Sequence, residues 1–121
     1  MRLHGRVLLY AILCAVASGC KSKAEQLADE LDTSVSWAAT LEAVARSWAD
    51  NRVPSRYVER TIAEAREALT SAGQTRAASI AWTLDDIVRR QDRRAIAEPL
   101  RALQAERDAL ESRLEQVKRS R

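Results

Sequence analysis

The chain has 121 residues, of which 46% are hydrophobic and 31% charged, and its formal net charge is +3. A chain of this length holds a single domain. Three glycines, two prolines and no phenylalanine stand against 22 alanines, 13 leucines and 17 arginines. Because these abundant residues favour helices, the composition excludes an all-β fold and predicts an all-α chain.

The first residues predict an export signal. Residues 1–6 carry two arginines and no acid, and residues 7–17 form an uncharged run of eleven. As a helix, such a run spans about 16 Å, roughly half of a bilayer's ~30 Å hydrocarbon core. It therefore fits the hydrophobic region of a cleaved signal peptide and not a membrane span.

The uncharged run leads into small residues and a cysteine, Ala17-Ser18-Gly19-Cys20. This motif resembles the lipobox of bacterial lipoprotein precursors, with Ala17 where leucine is commoner. The resemblance implies removal of residues 1–19, a diacylglycerol on the Cys20 sulfur and acylation of the new amino terminus with a chain such as palmitate. It also implies that Lys21 is permissive for sorting to the outer membrane, on its periplasmic face.

The same region allows an ordinary cleavage, because Ala15-Val16-Ala17 forms an A-x-A box. Cleavage after Ala17 would give a periplasmic protein with a single thiol at Cys20. Cys14 is lost with the leader in either case, so the mature chain has no cysteine pair for an internal disulfide. Since a lone cysteine in an exported chain is best explained by modification, the lipoprotein is the favoured interpretation.

The mature chain lacks the residues that several kinds of chemistry need. Loss of the leader removes His4 and two arginines, which leaves no histidine and 18 basic against 17 acidic residues. Histidine- or thiolate-built zinc sites and Ser–His–Asp or Cys–His catalysis are thereby excluded. Asp85 and Asp86 are adjacent, but neighbours on a helix point roughly 100° apart. We therefore predict a non-enzymatic protein without metal, cofactor or nucleic-acid partner.

Hydrophobic periodicity predicts four helices in residues 20–121, at about 23–50, 55–72, 75–97 and 99–118. Pro54 fits the first turn of the second helix and Gly73 its C-terminal cap, whereas Pro99 either kinks the third helix or opens the fourth. The predicted core faces include Leu27, Leu31, Ala38, Leu41, Ala45 and Trp48, then Tyr57, Val58, Ile62, Ala65 and Leu69, then Ala77, Ile80, Ala81, Leu84, Ile87, Val88 and Gln91. Short connections predict a slim antiparallel bundle of three to four helices.

The last segment predicts a coiled-coil-like helix. Its heptad seam is Ile96, Leu100, Leu103, Arg107, Leu110, Leu114 and Val117. The flanking charges repel in a parallel homodimer and attract in an antiparallel arrangement, where glutamates face Arg113 and Lys118. The seam therefore predicts an antiparallel partner, with Leu103, Arg107 and Leu110 as candidate contacts. That partner is the chain's own first helix, a second copy or a foreign helix.

Trp82 lies about 170° from the centre of the third helix's apolar stripe, taking 100° per residue. A tryptophan there either packs against another helix or forms an exposed anchor for a protein, glycan or membrane surface.

Arg89 and Arg93 belong to the densest basic cluster, together with Arg90 and Arg94. They are candidate contacts for anionic headgroups or an acidic protein. Acidic residues four positions away offer the alternative of an ordinary solvated face.

Together these features predict a small lipid-anchored protein of the bacterial envelope that acts as a scaffold, adaptor or accessory subunit. Its expected partners are the membrane, through Cys20, and a protein or second copy, through its helices. One alternative is an inhibitor or immunity-type lipoprotein that binds a periplasmic toxin or lytic enzyme. Another alternative is a structural link to peptidoglycan, since short helical lipoproteins include the murein-lipoprotein class. A resemblance to that class implies covalent attachment through a C-terminal lysine, whereas this chain ends Ser120-Arg121.

Overall fold

The computed structural model describes residues 22–120 as four α-helices and one short 3₁₀ turn. The helices are α1 (Lys23–Ala49), α2 (Ser55–Ser71), α3 (Thr75–Arg89) and α4 (Ala97–Arg119), and the turn, Arg93–Ile96, precedes α4. The structure is 87% helical, and the described residues contain no strand. The predicted all-α bundle is confirmed. Residues 1–21, which include the predicted leader, Cys20 and Lys21, lie outside the described residues, and so do the predicted cleavage and lipidation.

The helices begin where capping chemistry allows. Ser22 caps α1, because its hydroxyl accepts a hydrogen bond from the Glu25 backbone N–H at 3.2 Å. Pro54 stands immediately before α2 with a φ of −73°, where its missing N–H leaves no helical bond unmade. Pro99 lies in the first turn of α4, so it opens a fourth helix and does not kink the third.

The first three helices end in the same Schellman geometry. Asn51, Gly73 and Gln91 follow α1, α2 and α3 with φ values of 58°, 75° and 58°. In each case the next backbone N–H donates back to the last turn of the helix, from Arg52 to Ser47, Gln74 to Leu69 and Asp92 to Ile87, at 2.8, 2.9 and 3.1 Å. The left-handed residue turns the chain so that these N–H groups can bond carbonyls that have no partner within the helix.

The predicted end of the third helix is wrong. α3 stops at Arg89 and not near residue 97, because Gln91 adopts the left-handed conformation and turns the chain. Gln91 is consequently exposed and does not belong to the core stripe.

The bundle consists of two helix pairs. α1 packs along α4 and α2 along α3, with further contacts of α1 on α2 and a looser junction of α3 with α4. Arg93, just before α4, contacts Trp48 near the end of α1, and Arg107 contacts Glu42 farther back along α1. α4 therefore runs antiparallel to α1 and returns toward the end of the bundle where α1 begins.

One continuous core lies between the four helices. Its largest fully buried side chains are those of Trp48, Leu41, Ile62, Leu69, Leu84, Leu103, Leu110, Val58 and Val88. Besides Gln91, two more of the predicted core residues are wrong. Leu27 is 45% exposed because Ala28 and Leu31 set the buried line of α1, and Tyr57 is 54% exposed because Val58 takes the inward position of α2.

Candidate functional site

Trp82 is the most exposed large hydrophobic side chain of the described residues, at 59%. It projects from α3 toward α2, where the guanidinium of Arg66 lies 3.7 Å from the ring centroid. This is cation–π geometry. Arg66 covers one face of the indole, and the high exposure leaves the opposite face to solvent. The indole is therefore not buried inside the bundle, and its role as a binding anchor stays a prediction.

Trp82 forms one wall of an open groove on α2, which we call the Trp82 groove. The groove has a volume of about 580 Å³ and is lined on α2 by Arg60, Ala63, Glu64, Arg66, Glu67, Thr70 and Ser71. These residues recur at steps of three and four, so they form one outward stripe of the helix. Within the described chain, none of its four charged side chains belongs to an ion pair.

The C-terminal seam is occupied within the molecule. Leu103 and Leu110 are fully buried between α4 and the rest of the bundle, where α1 is the main neighbour. As candidate contacts for an outside partner they are therefore wrong, because the folded chain covers them. The antiparallel partner that the flanking charges favour is the chain's own first helix.

Arg107 also contacts α1, through a buried carboxylate that the sequence reasoning missed. Its Nη1 lies 2.6 Å from the Glu42 Oε2, and the Arg46 Nη2 lies 3.0 Å from the other oxygen of Glu42. Glu42 is only 7% exposed. The Glu42–Arg107 contact is an ion pair and not an aligned hydrogen bond, and the Arg107 Nε is buried without a hydrogen-bond partner. The sequence signal for this pair was a carboxylate at a position of α1 that faces the core.

This ion pair connects two helices. Both oxygens of Glu42 face guanidinium groups, one from α1 and one from α4. The arrangement joins α1 to α4 at a defined register, a use of buried charge that is known from coiled coils.

The basic cluster divides into two parts. Arg89 and Arg90 form ion pairs with Asp85 and Asp86, each at 3.0 Å. These pairs are the ones expected if this part of the cluster is an ordinary solvated helix face. Within the described residues, Arg94 makes no ion pair with Glu98, four positions on.

Arg93 is engaged inside the bundle and is not free for a partner. Its Nε donates to the Trp48 carbonyl at 3.3 Å, and its guanidinium lies 4.7 Å from the centre of the Trp48 ring. The Trp48 indole N–H in turn donates to the Ser55 hydroxyl at 3.0 Å. This cluster fixes the turn before α4 against the end of α1.

Residues 22–120 contain no group of three or more histidine, cysteine or acidic side chains placed to hold a metal ion. Each helix in this part of the chain is too short or too polar to cross a bilayer.

The chain matches no family model, no curated protein and no solved structure. Its function is therefore inferred from its own residues. Among these, the Trp82 groove is the accessible feature with the strongest capacity for recognition, because Trp and Arg are the side chains most enriched at binding hot spots.

Proposed function

We propose that this protein is a small, non-enzymatic lipoprotein of the bacterial envelope that acts as a scaffold, adaptor or accessory subunit. The observation that carries the proposal is the motif Ala17-Ser18-Gly19-Cys20 at the end of an uncharged run too short to span a bilayer. Acyl chains on Cys20 would anchor the chain, and two or more chains are needed for durable attachment.

The start of α1 supports a close association with the membrane. Ser22 caps α1, and the helix begins at Lys23, so only two residues separate Cys20 from a rigid element. The bundle would then sit near the headgroups of the periplasmic leaflet and present its outer helices to neighbouring envelope components. Lys21 fits an outer-membrane destination.

The distribution of surface and buried groups supports a binding role. The buried carboxylate of Glu42 is neutralised by two guanidiniums, and the α4 seam is covered by α1. The Trp82 groove remains open on the α2–α3 side of the bundle. We therefore place the interaction with envelope components there.

The intact mass of the protein purified from membranes tests the anchor. We expect a chain that begins at Cys20 and carries the added mass of a diacylglycerol and an N-acyl group, in membranes with outer-membrane density. The Cys20→Ser variant should lose the modification, and the matched control Cys14→Ser should keep it because Cys14 leaves with the leader. An unmodified chain beginning at Ser18 would contradict the proposal.

An inhibitor or immunity-type lipoprotein is a second candidate, favoured by the same exposed Trp82. Such a protein needs an accessible anchor for a toxin or lytic enzyme. In cells challenged with periplasmic lytic enzymes, Trp82→Ala should then abolish protection while the helix content stays unchanged. Equal protection by the parent and variant proteins would exclude this role for Trp82.

A further inference from the structure

We propose that the Trp82 groove binds a neutral oligosaccharide, with the free face of the Trp82 indole stacked on a sugar ring. The inference deepens the proposed function and rests on it, since an envelope location is what brings the groove to polymeric sugars. The residues that line the groove determine the chemistry of the ligand.

The aromatic wall of the groove fits the shape of a sugar. Arg66 holds the indole from one side at 3.7 Å, while 59% of the Trp82 side chain remains exposed. A rigid, half-supported ring offers a flat apolar surface at low entropic cost. A pyranose presents a matching flat face of C–H groups and carries its hydroxyls around the rim.

The polar rim of the groove is balanced in charge. Arg60 and Arg66 contribute two positive charges, Glu64 and Glu67 contribute two negative charges, and within the described chain none of the four is in an ion pair. The guanidiniums are free donors and the carboxylates free acceptors. A sugar hydroxyl both donates and accepts, so it can use both kinds of group. Because these charges sum to zero, neither an anionic nor a cationic ligand gains a net electrostatic attraction to the groove.

A protein surface fits this groove less well. Protein hot spots are surrounded by contacts that exclude water, whereas Ala63 is the only apolar side chain beside Trp82 in the lining. The other exposed large hydrophobic residues, Leu27 and Tyr57, do not line the groove.

The indole N–H signals in a ¹H–¹⁵N correlation spectrum test the proposal directly. The lipidated protein would be studied in a zwitterionic detergent, because detergents with sugar headgroups would compete for the groove. Titration with chitotetraose and with cellotetraose should shift the Trp82 signal in a saturable way. The Trp48 signal is an internal reference, because its buried N–H is bonded to Ser55.

Two variants separate the groove from the rest of the surface. Trp82→Ala removes the indole reporter, so binding by the parent and the variants is compared by isothermal titration calorimetry, and Trp82→Ala should bind at least tenfold more weakly, a difference of about 1.4 kcal/mol. Tyr57→Ala is the matched control, because Tyr57 is comparably exposed at 54% but lies outside the groove. It should bind the sugar as the parent does.

Several results would overturn the proposal. They are the absence of a saturable Trp82 shift with both neutral sugars, tighter binding of an anionic tetragalacturonate, or an equal loss of binding in Tyr57→Ala. A Trp82 signal that responds to protein concentration and not to sugars would indicate a protein interface. The intact mass of the same sample reports the Cys20 anchor, so failure of lipidation and failure of sugar binding are separate results.

Discussion

Replacing Arg107 with methionine would remove a guanidinium from a carboxylate that has almost no access to water. Glu42 is 7% exposed, and Arg107 Nη1 lies 2.6 Å from its Oε2. Removing one partner of a buried ion pair typically costs about 3–5 kcal/mol, because the other charge stays buried and uncompensated. Arg46 still pairs with Glu42, and the Arg107 side chain is itself 26% exposed. We therefore expect a smaller loss of unfolding free energy, about 2 kcal/mol.

A double-mutant cycle isolates this ion pair from packing. Glu42→Met alone leaves Arg107 partly exposed and within 3.9 Å of Glu111, so a loss of about 1 kcal/mol or less is expected. The double variant replaces both charges with apolar side chains and should be within about 1 kcal/mol of the parent, or more stable. The resulting coupling energy is about 2 kcal/mol.

Urea unfolding followed by far-ultraviolet circular dichroism measures these differences, since the chain is almost entirely helical. Arg113→Met is the matched control, because the Arg113 side chain is 53% exposed and its ion pair with Glu106 is long, at 4.0 Å. It should change stability by less than about 0.5 kcal/mol. If Arg107→Met behaves like this control, or if the double variant is as unstable as the single one, the buried pair does not join α1 to α4.

Three further substitutions test the helix ends and the Trp48 cluster by the same unfolding measurement. Gln91→Gly should raise stability by about 0.5–1 kcal/mol, because glycine adopts the φ of 58° without a Cβ clash. Gly73→Ala should lower it by about 1 kcal/mol, although nothing lies within 4 Å of the added Cβ, because φ is +75°. A stability change of opposite sign in either variant would refute the role of these residues in ending their helices. Ser55→Ala should lower the free energy of unfolding by about 1–3 kcal/mol, because it leaves the Trp48 N–H buried without an acceptor. An unchanged free energy of unfolding would mean that water replaces the hydroxyl.

The helix starts and one helix end could be predicted because they carry local signals. Pro54 limits where α2 begins, and Gly73 takes the left-handed conformation that closes a helix. Gln91 ends α3 in the same geometry without such a signal, because glutamine has no intrinsic preference for a positive φ. The predicted third helix was therefore too long, since only the tertiary structure places the turn at Gln91.

The periodic pattern of α4 identified a buried face but not the element that buries it. Leu103 and Leu110 were compatible with a partner chain or with α1, and charge patterning could decide only that the neighbour runs antiparallel. The contact of Arg66 with Trp82 could not be predicted, because the two residues are 16 positions apart in the chain. No local spacing rule relates two residues that meet only through the packing of α2 on α3.

The pairing of α1 with α4 determines which surface remains for recognition. Because α1 covers the heptad seam, an outside helix could reach Leu103 or Leu110 only by displacing α1 and exposing Glu42 without Arg107. The cost of that exposure, together with the loss of the core, makes the seam a poor docking site. Trp82 needs no such opening, since it is already 59% exposed while Arg66 covers one face of its ring. Recognition by the folded protein is therefore expected on the α2–α3 side, and substitutions there should alter binding while leaving the bundle intact.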